Sequence, residues 1–165
     1  MSRAVLSIGS NLGDRLAYLR LVVVALGPRL VAASPVYQTP PFGTSEPQGA
    51  YLNAVLVAED GLDPAGWLAF ARGCETAAER VRAVRWGPRT LDVDVVAVDD
   101  ERSNDPELTL PHPRAAERAF VLVPWLAADP VAVLPGAGTV SALVHGLPQS
   151  DLRDVRRCDD DLVAP

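Results

Sequence analysis

In the first third of the chain, strand-like apolar runs lie on either side of a segment whose apolar residues have helical spacing. Positions 3–9 form a short apolar run that ends at a glycine, which predicts a buried strand. Positions 14–26 carry apolar residues at helical spacing, beginning at Asp14 and closed by Gly27-Pro28, and predict a helix. Strand patterns recur at 30–38 and 51–58.

A second helix and a further strand complete the first two thirds of the chain. Asp63-Pro64 places proline in the first turn of a predicted helix that runs to about Arg82. A strand pattern follows at 91–98. The resulting order β-α-β-β-α-β is that of the split βαβ motif. We therefore predict an α+β, ferredoxin-like fold with helices packed on a mostly antiparallel sheet.

The remaining residues predict C-terminal additions to this core. A helix is expected over 119–128, a short strand near 131–134 and a short helix over 139–145. The acidic tail 151–165 is expected to add an edge strand near 152–156 or to be partly disordered. A chain of 165 residues suits one domain, so we expect a single domain over 1–165.

Composition excludes several classes of function. The net charge of −6 argues against general nucleic-acid binding, which needs a basic face. All fifteen basic residues are arginine, and the absence of lysine excludes a Walker A loop and Schiff-base chemistry. The sequence has neither an apolar run of membrane-spanning length nor a signal-peptide pattern. Cys74 and Cys158 lack metal-ligand spacing, so we expect free thiols and a cytoplasmic protein.

A cluster of arginines stands directly before a strand that carries two carboxylates, Asp92 and Asp94. On a strand, these side chains would share one face, roughly 6.5–7 Å apart. An isolated pair of this kind is typical of a solvated acidic face, but guanidinium groups upstream favour a site for magnesium and polyphosphate. The arginines are Arg80, Arg82, Arg85 and Arg89.

Polar and aromatic residues elsewhere favour a planar ligand. A long loop at 39–49 precedes a strand on which Tyr51 and Asn53 would share a face. Phe42 and Phe120 can supply an aromatic slot, and Trp86, beside Gly-Pro, can stack on a flat substrate as a lid. The alternative is ordinary core aromatics and a turn asparagine.

His112 lies between two prolines, which we expect to expose its ring. A phosphate contact and a structural role are about equally expected for it, with Arg114 and Arg118 nearby.

Together these motifs resemble one family, the 6-hydroxymethyl-7,8-dihydropterin pyrophosphokinases of folate biosynthesis. The resemblance covers positions 4–148. The string at 85–94 is the most specific of its markers. In chain order they are Gly9-Ser10-Asn11-Leu12-Gly13, Thr39-Pro40-Pro41-Phe42-Gly43, Tyr51-Leu52-Asn53, Arg80-Val81-Arg82, Arg85-Trp86-Gly87-Pro88-Arg89-Thr90-Leu91-Asp92-Val93-Asp94 and Leu110-Pro111-His112-Pro113-Arg114.

The resemblance implies transfer of pyrophosphate from MgATP to the pterin hydroxymethyl group, with release of AMP. It implies two Mg²⁺ ions on Asp92 and Asp94, and Arg82 and Arg89 as catalytic phosphate clamps. The implied ATP-binding residues are Glu75, Arg80, Arg82, Arg89, Thr109, His112 and Arg118. The implied pterin-binding residues are Thr39, Pro40, Phe42, Tyr51, Asn53, Trp86 and Phe120.

The chain departs from the family pattern at two places. A lysine that members often carry in the arginine loop has no counterpart between Arg82 and Arg85, and Glu107 stands where some members have a basic residue near the adenine.

Two other classes of protein share parts of this pattern. A palm-type nucleotidyl transferase or cyclase also uses strand carboxylates and two metals, but a polymerase of this type would need a basic template surface. A ferredoxin-like regulatory domain that binds a small ligand would show no metal dependence. We expect small-molecule substrates, no nucleic-acid or membrane partner, and a monomer.

Overall fold

A computed structural model describes residues 1–40, 49–81 and 90–163, of which residues 80 and 81 are described by their backbone only. A six-stranded sheet forms the centre, and two small two-stranded sheets lie beside it. The strands are β1 (Ser2–Ser10), β2 (Leu30–Ala33), β3 (Tyr37–Thr39), β4 (Tyr51–Asp60), β5 (Asp92–Val98), β6 (Ser103–Asp105), β7 (Leu108–Leu110), β8 (Val133–Leu134), β9 (Gly138–Thr139) and β10 (Arg156–Arg157).

Five helices accompany these strands, and short 3₁₀ turns occur at Gly27–Arg29 and Ala115–Glu117. The helices are α1 (Arg15–Leu26), α2 (Pro64–Val81), α3 (Ala119–Ala128), α4 (Val140–His145) and α5 (Gln149–Arg153). The predicted starts and ends of α1 have clear local causes. The Asp14 side chain accepts a hydrogen bond from the Ala17 N–H at 3.2 Å, and Gly27 ends the helix at a positive φ of 55°. No helix within the described residues is long and apolar enough to cross a membrane.

The central sheet has the strand order β10-β3-β4-β1-β5, with β2 also paired to β4. Each of its described pairings is antiparallel. The element order around β1 and β4 and the helices packed on the sheet confirm the predicted mixed α+β, ferredoxin-like class.

The two faces of the sheet bury different cores. Helices α1 and α2 cover one face, where Leu6, Leu56 and Val95 pack with the helix residues Leu19 and Trp67. The opposite face is only partly covered.

Helix α3 packs over this opposite face with Leu122 and Trp125, against Val5 and Val55. Toward one end of the sheet this face is not packed under α3 and lines a cavity instead. That uncovered end carries the polar residues predicted to form a site.

The region 30–38 is two strands rather than the single strand predicted. Pro35, which has no N–H to donate to a ladder, separates β2 from β3. Ser34 bridges the break: its N–H donates to the Val55 carbonyl and its Oγ accepts from the Val55 N–H, both at 2.9 Å.

The prediction for the C-terminal region was wrong in its details. Residues 149–153 form helix α5, and the edge strand is confined to Arg156–Arg157, where it pairs with β3. The strand expected near 131–134 is limited to Val133–Leu134, in a hairpin with β9. The helix predicted at 119–128 is confirmed with the same bounds, including Pro124 in its interior.

Candidate active site

The uncovered end of the sheet brings residues of three strands into one row. Gly9 of β1 stands between Asn53 of β4 and Asp92 of β5, and Ser7 pairs with Asp94 one step further along the sheet. Paired residues in antiparallel strands point to the same face, so their side chains share a surface. The amide and the two carboxylates therefore face the same space.

That space is a cavity of about 490 Å³, a volume typical of small-ligand sites. Residues of the sheet, of the turn before α3, of α3 and of the C-terminal segment surround it. The lining residues are Ser7, Ile8, Gly9, Thr39, Pro40, Tyr51, Asn53, Asp92, Asp94, Arg114, Glu117, Arg118, Ala119, Phe120, Asp151, Asp154 and Val155.

Asp92 and Asp94 line this cavity together, as their spacing predicts. Val93 and Val95 alternate with them and are buried in the core on the other face. Asp92 is half-buried, whereas Asp94 is exposed. The alternation anchors β5 through its valines and places both aspartates in the cavity wall.

Glu75 of helix α2 holds the beginning of β5 in place. Its Oε2 accepts a hydrogen bond from the Val93 N–H at 3.0 Å. This peptide group lies between the two aspartates, so the helix fixes the backbone from which both carboxylates project. The family resemblance implies that Glu75 lies beside the nucleotide, and Glu75 is not among the described residues that line the cavity.

Asn53 is buried and oriented by its neighbours. Its Nδ2 donates to Thr39 Oγ1 at 2.6 Å, which links β4 to β3 inside the cavity wall. A Cβ atom on Gly9 would lie only 2.9 Å from Asn53 Oδ1. Because Gly9 has no side chain, the Asn53 amide can occupy this space beside the two carboxylates.

Aromatic and cationic groups form the other side of the cavity. The Arg118 guanidinium lies over the Phe120 ring, 5.4 Å from its centroid. Tyr51 also lines the cavity, and burial, with a smaller contribution from the Asp92 charge, raises the pKa of its hydroxyl. The neutral phenol and the ring of Phe120 offer two flat surfaces to a planar ligand.

His112 lies close to the carboxylates but is not among the described lining residues. Burial lowers the pKa of its ring, while the Asp94 charge opposes that shift and Arg118 and Arg114 add to it. Its Nδ1 accepts a hydrogen bond from the Arg114 N–H at 3.3 Å. The ring is half-buried, so the expectation that the flanking prolines expose it was wrong.

The structure brings together the two aspartates and six of the other predicted site residues: Thr39, Pro40, Tyr51, Asn53, Arg118 and Phe120 line the same cavity. Thr109 is not among the described lining residues, and its hydroxyl donates to the Asp105 carbonyl at 3.0 Å. Glu107 is exposed. The predictions for Phe42, Arg82, Arg85, Trp86 and Arg89, and for the side chain of Arg80, lie outside the described residues.

Sequence reasoning missed the contribution of Glu117 and of the C-terminal residues Asp151, Asp154 and Val155. Glu117 stands in the turn between Arg114 and Arg118, and that proximity was a usable signal. The C-terminal residues are held near the cavity by the pairing of β10 with β3 and by the contact of α5 with α3, which are contacts between distant parts of the chain that local patterns do not report.

Comparison with known proteins identifies close relatives. The family model of 7,8-dihydro-6-hydroxymethylpterin-pyrophosphokinase matches residues 5–130. A 2-amino-4-hydroxy-6-hydroxymethyldihydropteridine pyrophosphokinase of Mycobacterium tuberculosis is 50% identical over 169 residues, covering 94% of this chain and 89% of the relative. A protein of the same name from Bacillus subtilis is 38% identical over 125 residues, covering 73% of this chain and 74% of the relative.

Solved structures show the same fold. The wild-type HPPK-DHPS of Plasmodium falciparum superposes with a TM-score of 0.64 at 12% sequence identity, over 87% of this chain. The match spans 44% of that longer chain. At this identity the likeness concerns the fold, and it agrees with helices packed on an antiparallel sheet.

Proposed function

The chain belongs to the 7,8-dihydro-6-hydroxymethylpterin-pyrophosphokinase family, and from that premise we propose that it transfers pyrophosphate from ATP to 6-hydroxymethyl-7,8-dihydropterin. The products are AMP and the pterin diphosphate, an intermediate of folate biosynthesis. The observation that carries the proposal is one cavity that joins the carboxylate pair Asp92 and Asp94 to a slot formed by Tyr51, Asn53 and Phe120.

The donor set in this cavity fits Mg²⁺. Magnesium is commonly bound through one or two carboxylates together with substrate phosphates and water. The described residues contain no cluster of three or more His, Cys, Asp or Glu side chains that would form an all-protein cage. Asp92 and Asp94 would hold two ions, which when bound neutralise charge on the ATP phosphates.

The slot fits the flat, uncharged pterin ring. The phenol of Tyr51 and the ring of Phe120 provide stacking surfaces, and Asn53 presents both an amide donor and an acceptor toward the polar edge. The Asn53 amide is already fixed by Thr39, which reduces the entropy that binding must offset. Thr39 and Pro40 complete this wall.

The reaction needs positioning more than acid–base chemistry. The hydroxymethyl oxygen attacks the β-phosphorus of ATP while the bond from that phosphorus to the α,β-bridging oxygen breaks, so AMP leaves with the bonding electrons. One of the two aspartates can receive the hydroxyl proton. Among the described lining residues, Arg118 supplies positive charge that can neutralise the phosphate oxygens.

By the family resemblance we assign Arg82 and Arg89 to the clamping of phosphate, with Arg80 and His112 in support. We also assign Trp86 and Phe42 to the closure of the pterin slot. The two free cysteines suit a reducing compartment, so we propose a cytoplasmic location. The protein is further proposed to act as a monomer.

Product identity tests the proposed reaction. The protein is incubated with ATP, Mg²⁺ and 6-hydroxymethyl-7,8-dihydropterin, and nucleotides and pterins are separated by chromatography. AMP should appear in equal amount with a pterin diphosphate. ADP formation, or nucleotide turnover that does not require the pterin, would contradict the proposal.

The metal assignment has its own prediction. Asp94→Asn keeps the size of the side chain but removes a charge that binds magnesium, and we expect turnover to fall by roughly a hundredfold or more. Asp100→Asn, an exposed change on the turn after the same strand, is the matched control and should retain wild-type turnover. Thermal unfolding should be similar for the three proteins. Wild-type activity of Asp94→Asn across a Mg²⁺ titration would overturn the assignment.

A further inference from the structure

The last described part of the chain, residues 149–163, which we call the tail segment, is fixed to the body of the protein at several points. Arg156 and Arg157 pair with Gln38 and Tyr37 of β3. The Cys158 N–H donates to the Val36 carbonyl at 2.8 Å.

Further along, the tail segment is held again. Arg20 of helix α1 donates to the Asp161 carbonyl at 2.7 Å. Leu162 is only 5% exposed and packs into the core formed with α1 and α2. The tail segment therefore crosses the edge of the sheet in a defined position.

The register of this pairing sets where Val155 lies. In an antiparallel pair the residue before Arg156 comes beside the residue after Gln38, which is Thr39. Partners across such a pair share a face, and Thr39 lies on the face that carries Asn53 and Tyr51. Val155 is half-buried and lines the same cavity.

We propose that Val155 is a specificity-determining residue for the pterin, and that the tail segment forms the outer wall of the pterin slot. This inference rests on the proposed function. Val155 would contact the edge of the ring that lies beyond Thr39, away from the carboxylates Asp92 and Asp94. The pairing of β10 with β3 holds this wall in place.

The charged residues around Val155 explain why an apolar contact at this point would favour the uncharged pterin ring over phosphate. Asp151 and Asp154 also line the cavity on the tail side. Carboxylates on this wall disfavour the binding of phosphate groups, which are better placed beside Arg114 and Arg118 of the same cavity. The tail side is left with Val155 as its apolar surface, which suits an uncharged ring.

Steady-state kinetics on three variants tests this inference. Val155→Ala removes apolar contact and should raise the pterin KM by roughly tenfold at saturating MgATP. Val155→Arg fills the slot and should raise it further. In both variants the ATP KM should stay within about twofold of wild type. Val163→Ala is the matched control, because Val163 is a valine of the same segment that is 52% exposed and does not line the cavity.

The outcomes separate this inference from the proposed function. If the wild-type protein forms AMP and pterin diphosphate but the Val155 variants keep the pterin KM of Val163→Ala, the inference is overturned and the function stands. Equal increases in the ATP and pterin KM, together with a lower unfolding temperature for Val155→Ala, would assign Val155 a structural role and also overturn it. A wild-type protein without pterin-dependent turnover overturns both.

Discussion

Gly9 gives the site its shape because it has no side chain. It lies between Asn53 and Asp92 in the row across the sheet, and the Asn53 amide occupies the space above it. Any larger residue would push the amide toward the cavity or break its bond to Thr39 Oγ1. The lack of a side chain at Gly9 therefore allows Asn53 to take the position from which it is proposed to bind the ligand.

We predict that Gly9→Ala raises the pterin KM by roughly tenfold, because the new Cβ would lie 2.9 Å from Asn53 Oδ1. The free energy of unfolding should fall by about 1–3 kcal/mol, as for other overpacked sites. Denaturant unfolding and steady-state kinetics measure the two effects. The control is Gly73→Ala, at an exposed position inside α2 with no atom within 4 Å of the added Cβ.

Alanine at position 73 should stabilise the protein by about 0.5–1 kcal/mol through helix propensity and leave the kinetics unchanged. If Gly9→Ala bound the pterin as wild type does, the account of Asn53 as a fixed recognition group would fail.

The two cysteines should differ in reactivity. Burial raises the pKa of the Cys74 thiol to about 11, and Cys74 is only 4% exposed. Burial also raises the pKa of Cys158, but its side chain is partly accessible. At pH 8, iodoacetamide should modify Cys158 first and reach Cys74 only on unfolding, as mass spectrometry of Cys158→Ser and wild type will show. Rapid labelling of Cys74 in the folded protein would contradict its burial between α2 and the sheet.

The same raised pKa has a consequence for stability in alkali. The folded protein holds Cys74 as a thiol at pH values where the unfolded chain loses the proton. The contribution of Cys74 to the free energy of unfolding is therefore complete below about pH 9 and is lost as the pH rises toward about 11.

At the scale of elements, the junction of α2 and β5 determines the position of Asp92 and Asp94, the proposed metal ligands. The Glu75 carboxylate accepts the Val93 N–H, and the peptide it holds lies between the two aspartates. A shift of α2 along the sheet would therefore move both carboxylates. This coupling makes Glu75 a positioning residue that acts through the backbone of β5.

We predict that Glu75→Ala raises the Mg²⁺ concentration needed for half-maximal turnover by several fold. Glu75→Gln keeps an acceptor oxygen and should bring this concentration most of the way back to the wild-type value. Leaving the Val93 N–H without its acceptor should cost about 1–3 kcal/mol of stability. A magnesium titration of each variant is the measurement, with Thr76→Ala, an exposed change in the same turn, as the control. A wild-type magnesium dependence of Glu75→Ala would show that α2 does not position the carboxylates.

Much of this element structure follows from the sequence. The period of apolar residues located both long helices, α3 and the strands at 51–60 and 92–98, because each buries a continuous face. The alternation around Asp92 and Asp94 predicted that they share a face, and their place in the cavity confirms it.

The parts that were missed depend on contacts between distant segments. Ser34 and Pro35 interrupt a run that reads as one strand, and the break is stabilised by hydrogen bonds to Val55, which no local pattern reports. The hydrogen bond between Glu75 and Val93, 18 positions later, was likewise not visible in the sequence, and the place of Glu75 beside the nucleotide stays a prediction. The tail segment reaches the cavity through β3 in the same way.

At the scale of the whole molecule, one face of the sheet serves the main core and the other face carries the candidate site. One face is buried under α1 and α2 and supplies the main core, whereas the other is divided between α3 and the cavity. The cavity therefore lies on rigid strands, with carboxylates on one side and an aromatic slot on the other. Such an arrangement holds two substrates in fixed relation, which is the main requirement of phosphoryl-group transfer.

The most direct measurement follows the phosphorus atoms of ATP into the product. The protein is incubated with the pterin, Mg²⁺ and ATP labelled with ³²P at either the β or the γ position, and the pterin product is isolated from each reaction. Transfer of intact pyrophosphate predicts equal label in the pterin from both substrates, with AMP unlabelled. Label that reaches the pterin from the γ position alone would show single phosphoryl transfer and would contradict the account.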